Sequence, residues 1–234
     1  MNFEIFREKL NKNGIELTDE QISQFQSYLL LLKDEAEKVN LTAIKDEAGI
    51  IEKHFFDSLL LAKSLPLNNQ ILLDLGSGAG FPGIPLKIAF PSLKVTLLEP
   101  TVKKARFLAQ VINQLKLREI VVIAERAETF ANREREQYDI VVARAVSQLN
   151  ILLELALPLV HLDGFFIAYK GAKAGEEIQD SQNALRILGG QIHEIVLEKL
   201  PTESDRRAIL IIKKTTSTPV EYPRQYGTIK KRPL

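Results

Sequence analysis

From residue 70 onward the chain alternates short apolar runs with amphipathic segments, and the way this alternation ends constrains the fold most. The runs "QILLDLG" (70–76), "KVTLLEP" (94–100), "EIVVIAE" (119–125), "YDIVVAR" (138–144) and "GFFIAYKG" (164–171) are nearly continuous in apolar residues. Strands of a parallel sheet, buried on both faces, have this texture. Helical segments lie between them: "PLKIAF", "TVKKARFLAQVINQLKL" with Ala105, Leu108, Ile112 and Leu115 on one face, "SQLNILLELALPLVHLDG" ended near Pro158, and "GEEIQDSQNALRILGG". The pattern then breaks. "QIHEIVLEKL" (191–200) and "RRAILIIKK" (206–214) are joined only by "PTESD", too short for a parallel crossover, so they form a hairpin. Five parallel strands closed by a hairpin predict a seven-stranded α/β sheet with one antiparallel strand.

The first 66 residues show no strand pattern. Phe3, Phe6 and Leu10 share a helix face that ends at Gly14. Thr18 and Gln21 form a capping box for a second helix, striped by Ile22, Phe25, Tyr28, Leu29 and Leu32. A third helix carries Ile50, Ile51, Phe55 and Leu59 to Leu61 and stops before Pro66. The expected organisation is a helical cap (1–66), an α/β domain (67–214) and a tail (215–234).

A glycine-rich loop after the first strand, "LDLGSGAGFPGIPL" (73–86), can be read in two registers. Gly78, Gly80 and Gly83 match the dinucleotide fingerprint, but in that register three residues separate the strand-end Asp74 from the first glycine, and Pro82 falls inside the motif. Asp74, Gly76, Gly78 and Gly80 give D-x-G-x-G-x-G without such faults. That spacing resembles the S-adenosylmethionine loop of Rossmann-like methyltransferases, which also end in a hairpin. Glu99 closes the second strand, where a carboxylate accepts from both hydroxyls of a ribose. Ala127 and Glu128 follow the third strand, where a backbone N–H and a carboxylate could hold an adenine edge. Each has a plainer reading: a solvated strand-end acid for Glu99, a helix-start acid for Glu128.

Composition removes several classes of protein. Without cysteine there is no disulfide scaffold, thiolate metal site or cysteine nucleophile. The charged start "MNFEIFREKL" is not a signal peptide and no apolar run is long enough to span a bilayer, so a cytoplasmic protein is expected. His161 and His193 lack metal-site spacing, so no metal is expected. Charge is nearly balanced overall, but residues 201–234 carry eight Lys and Arg against three Asp and Glu. Arg206, Arg207, Lys213, Lys214, Arg224, Lys230, Lys231 and Arg232 are therefore candidate phosphate contacts, the alternative being a solvated tail. No long heptad or exposed apolar face is apparent, and a monomer is expected.

Taken together, "NLTAI" (40–44), "HFFDSL" (54–59), "GSGAGFPGIPL" (76–86), "TLLEP" (96–100), "KKARFL" (103–108), "RAE" (126–128), "ARAV" (143–146), "YKG" (169–171) and "YPRQYGTIKKRPL" (222–234) resemble the small-subunit ribosomal RNA methyltransferase G family. The resemblance implies S-adenosylmethionine as cofactor, 16S rRNA in the small ribosomal subunit as partner, and methylation of a guanine N7 in the decoding-region loop. It places cofactor contacts on Gly76, Phe81, Ala127, Glu128 and Arg144, with Glu99 on the ribose where many relatives carry aspartate.

N7 carries a lone pair and no proton, so this chemistry needs alignment rather than a general base. Arg144, closing the fourth strand, is expected to lie beside the cofactor and donate to guanine O6; the alternative is an arginine paired structurally with a carboxylate. Lys170 is a weaker phosphate candidate. His54 and Asp57, one helical turn apart, either meet RNA, hold the helical cap over the cofactor mouth, or bond on a helix surface, the last being the simpler expectation. Phe81 either closes over the cofactor or belongs to the core. The rival functions are a methyltransferase with another acceptor, a nicotinamide oxidoreductase and a non-catalytic RNA-binding factor.

Overall fold

The computed structural model describes residues 1–234 except 40, 172 and 201–205; for 36–39 and 206 it describes the backbone alone. Asn40 of "NLTAI", the "PTESD" link and the Arg206 side chain therefore lie outside the described residues.

Seven strands form one sheet: β1 (Ile71–Leu75), β2 (Lys94–Leu98), β3 (Ile120–Ile123), β4 (Tyr138–Arg144), β5 (Val160–Lys170), β6 (Gly190–Lys199) and β7 (Arg206–Lys214). Their order is β3-β2-β1-β4-β5-β7-β6. Strand β7 runs antiparallel to both its neighbours, and the pairings among β1 to β5 are parallel. This is the architecture that the alternation and the terminal hairpin predict. Strand order reverses between β1 and β4, so the carboxyl ends of these strands frame the crevice where open α/β sheets bind ligands.

The helices are α1 (Phe3–Lys12), α2 (Asp19–Val39), α3 (Glu47–Ile50), α4 (Asp57–Leu59), α5 (Gly83–Ala89), α6 (Val102–Gln114), α7 (Ala127–Arg133), α8 (Leu149–Ala156), α9 (Ala174–Asp180), α10 (Gln182–Leu188) and α11 (Tyr226–Lys231). The capping box of α2 forms in both directions, Thr18 N–H to Gln21 Oε1 at 2.8 Å and Gln21 N–H to Thr18 Oγ1 at 3.2 Å. Gln21 Nε2 also donates to Ile88 O at 2.7 Å, tying α2 to α5.

Three local expectations are corrected. The third helix is not uniform: a π-helical turn, Ile51–Phe56, joins α3 to α4, and a 3₁₀ turn, Leu60–Lys63, ends it. Such π turns insert a residue and re-aim side chains, frequently at functional sites. The helix expected over 175–190 is two helices, broken at buried Ser181, whose Oγ donates back to Glu177 O at 2.6 Å. Strand β5 begins at Val160 rather than Gly164, because Val160 pairs with Tyr138 before an irregularity resets the register at Ile140 and Phe165.

Phe6, Phe25, Tyr28 and Phe55 belong to one cluster with Leu72, Ile84 and Leu97, so the first helices and one sheet face share a core. On the other face Leu152, Leu155, Leu185 and Leu188 pack with Ile229 of α11. Residues 215–234 are folded onto that face. The Arg135 guanidinium donates to the carbonyls of Thr218, Pro219 and Tyr222, and Thr218 N–H donates to Glu136 Oε1 at 3.0 Å.

Candidate active site

The loop after β1 is built for close approach. Gly76 and Gly78 adopt φ of +73° and +59°, which disfavour any side chain. At Gly76 the space is closed as well, since an added Cβ would lie 2.8 Å from Val146 Cγ2. At Gly78 a Cβ would meet nothing nearer than 3.9 Å, so this backbone borders open space beside the strand ends. Glu99, just past the end of β2, is largely buried; its Oε2 accepts from Gly78 N–H at 2.9 Å and its Oε1 from Thr101 N–H at 2.8 Å. The bare loop backbone and a fixed carboxylate on the neighbouring strand end suit a nucleoside with a free ribose. Ala127 opens α7, and Glu128 beside it is buried in the first turn.

Asp74 lies beneath this loop rather than in the open space. It is fully buried, with Oδ2 accepting from Gly83 N–H at 2.8 Å and Oδ1 without a hydrogen bond. Burial lifts its pKa to about 7, against the pull of the Gly83 N–H and Arg144. It braces the turn into α5, so the expected ligand contact is corrected to a support for the glycines. Gly80 also faces inward, where a Cβ would lie 2.6 Å from Ile84 Cδ1 and the Tyr28 hydroxyl.

Arg144, at the end of β4, is the centre of a second cluster. One terminal nitrogen donates to Lys53 O at 2.8 Å and Asp57 Oδ2 at 3.1 Å; the other meets His54 Nδ1 at 3.0 Å. Its guanidinium lies 5.0 Å from the centroid of the buried Phe81 ring, and the His54 imidazole stacks on that ring at 4.4 Å and 18°. Burial, reinforced by Arg144, lowers the His54 pKa to about 3. The ring is therefore neutral at ordinary pH, accepts at Nδ1, and donates from Nε2 to Thr42 Oγ1 at 2.7 Å. His54 and Asp57 are thus inward-facing partners of Arg144, not a helix-surface pair. The next residue, Ala145, has φ +56°, a strained conformation for a side-chain-bearing residue.

Beside this cluster opens a cavity of 460 Å³ whose walls include Lys53, Asp57, Arg144, Ser147, Glu177 and Arg207. Tyr169 also lines it, its hydroxyl donating to Ser58 O at 2.8 Å. Lys170 has a side chain only 7% exposed and donates to Ser147 O and Glu177 Oε2, both at 2.7 Å, so it braces the wall instead of standing free for a phosphate. Arg207 Nε lies 3.7 Å from Asp57 Oδ1.

The basic candidates separate sharply. Arg224 holds the buried carboxylate of Glu154 through Nε at 2.7 Å and a terminal nitrogen at 2.6 Å, while its backbone N–H adds a third bond at 2.9 Å. Lys214 is fully buried, donating to Leu157 O and Thr218 Oγ1 and lying 3.3 Å from Glu136, and burial lowers its pKa to about 8. Lys213 pairs with Asp163 at 2.9 Å. Lys214 and Arg224 are corrected to structural cations. Lys230, Lys231 and Arg232 are exposed at the end of α11.

Sequence reasoning did not single out Glu177, and for His54 and Asp57 it preferred a helix-surface pair to a role in holding the cap over the cofactor mouth. The one-turn spacing in "HFFDSL" was visible, but the π turn that sets its direction is a tertiary effect. Among the described residues, no helix is long and apolar enough to cross a membrane.

The sheet order and the glycine loop define the Rossmann-like methyltransferase fold. Solved structures agree on that fold: a methyltransferase from Pyrococcus furiosus aligns with TM-score 0.56 and 15% identity over 83% of this chain and 100% of its own. A 16S rRNA adenine-N1 methyltransferase from Catenulisporales acidiphilia, crystallised with cosubstrate SAM, aligns with TM-score 0.52 and 15% identity over 65% of this chain and 88% of its own. More specifically, the family model for rRNA small subunit methyltransferase G matches residues 21–207. Proteins called ribosomal RNA small subunit methyltransferase G are 46% identical in Bacillus cytotoxicus and 44% identical in Staphylococcus carnosus, each over 100% of this chain and 99% of the relative. The chain belongs to the rRNA small subunit methyltransferase G family.

Proposed function

We propose that this protein transfers a methyl group from S-adenosylmethionine to N7 of a guanine in 16S rRNA. The observation that carries this reading is what gathers at the strand ends: a bare glycine loop braced by Glu99 after β1 and β2, and Arg144 at the end of β4 in the wall of a cavity. When bound, the cofactor supplies an electrophilic methyl on a sulfonium sulfur. Gly76, Gly78, Glu99, Ala127 and Glu128 are the residues to hold it, while Asp74 and Gly80 shape the loop beneath. The target N7 needs no deprotonation, and the protein's work is to align the base with the methyl donor.

Arg144 suits that work. Its guanidinium is fixed on three sides by Lys53 O, Asp57 and His54 and against Phe81, so it needs little reordering on binding. From the wall shared by loop and cavity it donates toward guanine O6 and the cofactor. N7 in paired RNA faces a groove too deep and narrow for side chains, so the base is taken from a loop or extruded into the cavity. Arg207 in the cavity wall, Lys230 and Lys231 on α11 and Arg232 just past it supply phosphate contacts. Division into a cap (1–66), a catalytic domain (67–214) and a tail (215–234) is retained as a functional one, the cap supplying His54 and Asp57. We assign the partner as the small ribosomal subunit, the location as cytoplasmic and the state as monomeric.

The test uses labelled S-adenosylmethionine and small ribosomal subunits from cells lacking the protein, with the modified nucleoside identified by mass. One site of 7-methylguanosine is expected. Label in another nucleoside, or cofactor binding with no transfer, would refute the reading.

A further inference from the structure

Guanine differs from the other bases on the edge opposite N7, where N1–H and the N2 amino group are adjacent donors. A pocket that selects guanine by this edge needs a fixed acceptor, ideally a carboxylate, which also repels the acceptor N1 of adenine. Two carboxylates line the cavity, Asp57 and Glu177. Asp57 lies between Arg144 at 3.1 Å and Arg207 at 3.7 Å, with its side chain only 6% exposed, so its charge is directed into that arginine pair.

Glu177 is placed differently. It sits in the first turn of α9, and Oε2 is pinned by Leu149 N–H and Lys170 Nζ, both at 2.7 Å. Among the described residues no hydrogen bond reaches Oε1, and the side chain retains 25% exposure in the cavity wall. The carboxylate is held at one oxygen and open at the other. Lys170 is itself braced by Ser147 O, on the loop that leaves β4 just after Arg144. Arg144 and Glu177 therefore belong to the same cavity, one a donor suited to the O6 side of the base and the other an acceptor suited to the opposite edge.

We propose that Glu177 is the guanine-selecting residue of this cavity, accepting from N1–H and the N2 amino group of the extruded base. The inference rests on the guanine reading above and adds to it how the base is chosen. It also predicts a specific weakness. A base lacking the N2 amino group keeps N7, O6 and N1–H and loses only one donor toward Glu177.

The experiment compares methylation of reconstituted small subunits carrying guanine or hypoxanthine at the target position, using the full-length protein and the variants Glu177→Gln and Glu177→Asp. The wild type is expected to prefer guanine by about tenfold or more in kcat/KM, the cost of leaving a site's acceptor unmet. Glu177→Gln keeps an acceptor for Leu149 N–H but loses the anionic one, and its preference is expected to fall toward unity. Glu177→Asp is expected to act more slowly while keeping a preference. Loss of rate with an unchanged preference in Glu177→Gln would reduce Glu177 to a brace and overturn the proposal. If that variant does not fold, equal rates of the wild type on the two subunits overturn it instead, and a tenfold preference together with a retained preference in Glu177→Asp supports it. No transfer to guanine by the wild type would remove the underlying reading, a result distinct from transfer without selectivity.

Discussion

Arg224→Ala separates a folding role from an RNA-binding role, and the structure gives the size of the effect. Glu154 has no exposed surface and receives two bonds from the Arg224 side chain, so truncation leaves a buried carboxylate with only the Arg224 backbone N–H. Breaking a fully buried ion pair costs about 3–5 kcal/mol. The Arg224 side chain is itself 26% exposed, so water reaches the vacated position and the cost falls to about 2–3 kcal/mol. In a chain of this length 1 kcal/mol shifts Tm by about 2–4 °C, which gives a loss of roughly 4–12 °C. Replacing both partners, as in Arg224→Met with Glu154→Leu, removes the stranded charge and is expected to return to within about 1 kcal/mol of the wild type. Circular-dichroism melts and urea titrations read the stabilities, and salt titrations of RNA binding read the phosphate contribution. A Tm within about 2 °C of the wild type in Arg224→Ala, with the salt slope reduced by about one phosphate contact, would refute the argument.

Other expectations follow from the same geometry. Converting Lys230, Lys231 and Arg232 together to alanine is expected to lower the salt slope of RNA binding by about 2–3 with little change in Tm, and an unchanged slope would exclude α11 from the RNA contact. His54→Ala removes the acceptor for Arg144 and the stack on Phe81; kcat/KM for methyl transfer is expected to fall about tenfold, and wild-type turnover would show that Arg144 is held well enough without it. Asp74 titrates at about 7 when folded against an ordinary value of 3.8, so it favours the folded state fully below 3.8 and loses that advantage as pH rises toward 7. The loss is of order 1.4 kcal/mol per pH unit across that window. Asp74→Asn is expected to flatten the urea-stability profile between pH 4 and 7; a profile identical to the wild type would show that Asp74 ionises normally.

The sheet was legible because its signal is local: period, strand length and a five-residue link decide the hairpin without long-range information. The glycine loop and Glu99 were legible for a similar reason, since their spacing fixes which backbone stands at a strand end. What could not be read was the direction of polar side chains. "HFFDSL" places His54 and Asp57 on one face, but whether that face meets solvent or Arg144 depends on how the π turn packs against β4. The basic run at 206–232 was read as one feature because charge adds along a sequence. The fold divides it: Lys214 and Arg224 are matched to buried acceptors and only part of the run stands in water. Glu177 carries no signal of its own in the sequence, since an acidic residue in a first helical turn has an ordinary explanation in the helix dipole. Its value lies in the cavity it faces.

Strand β7 lies between β5 and β6, although β6 precedes it in the chain. Residues 190–199 therefore have no place in the sheet until the strand that joins them to β5 has docked. Until then β5 presents a bare edge, and β6 is an unpaired segment bearing Ile195 and Leu197, which remain outward-facing even in the finished protein. Both are surfaces that favour association with another chain. Released chains that end between residues 200 and 206 should therefore aggregate or be held by chaperones, while those that extend through Lys214 can close the sheet. The last strand of the sheet acts as a keystone: until it docks, both β5 and β6 are left with open edges.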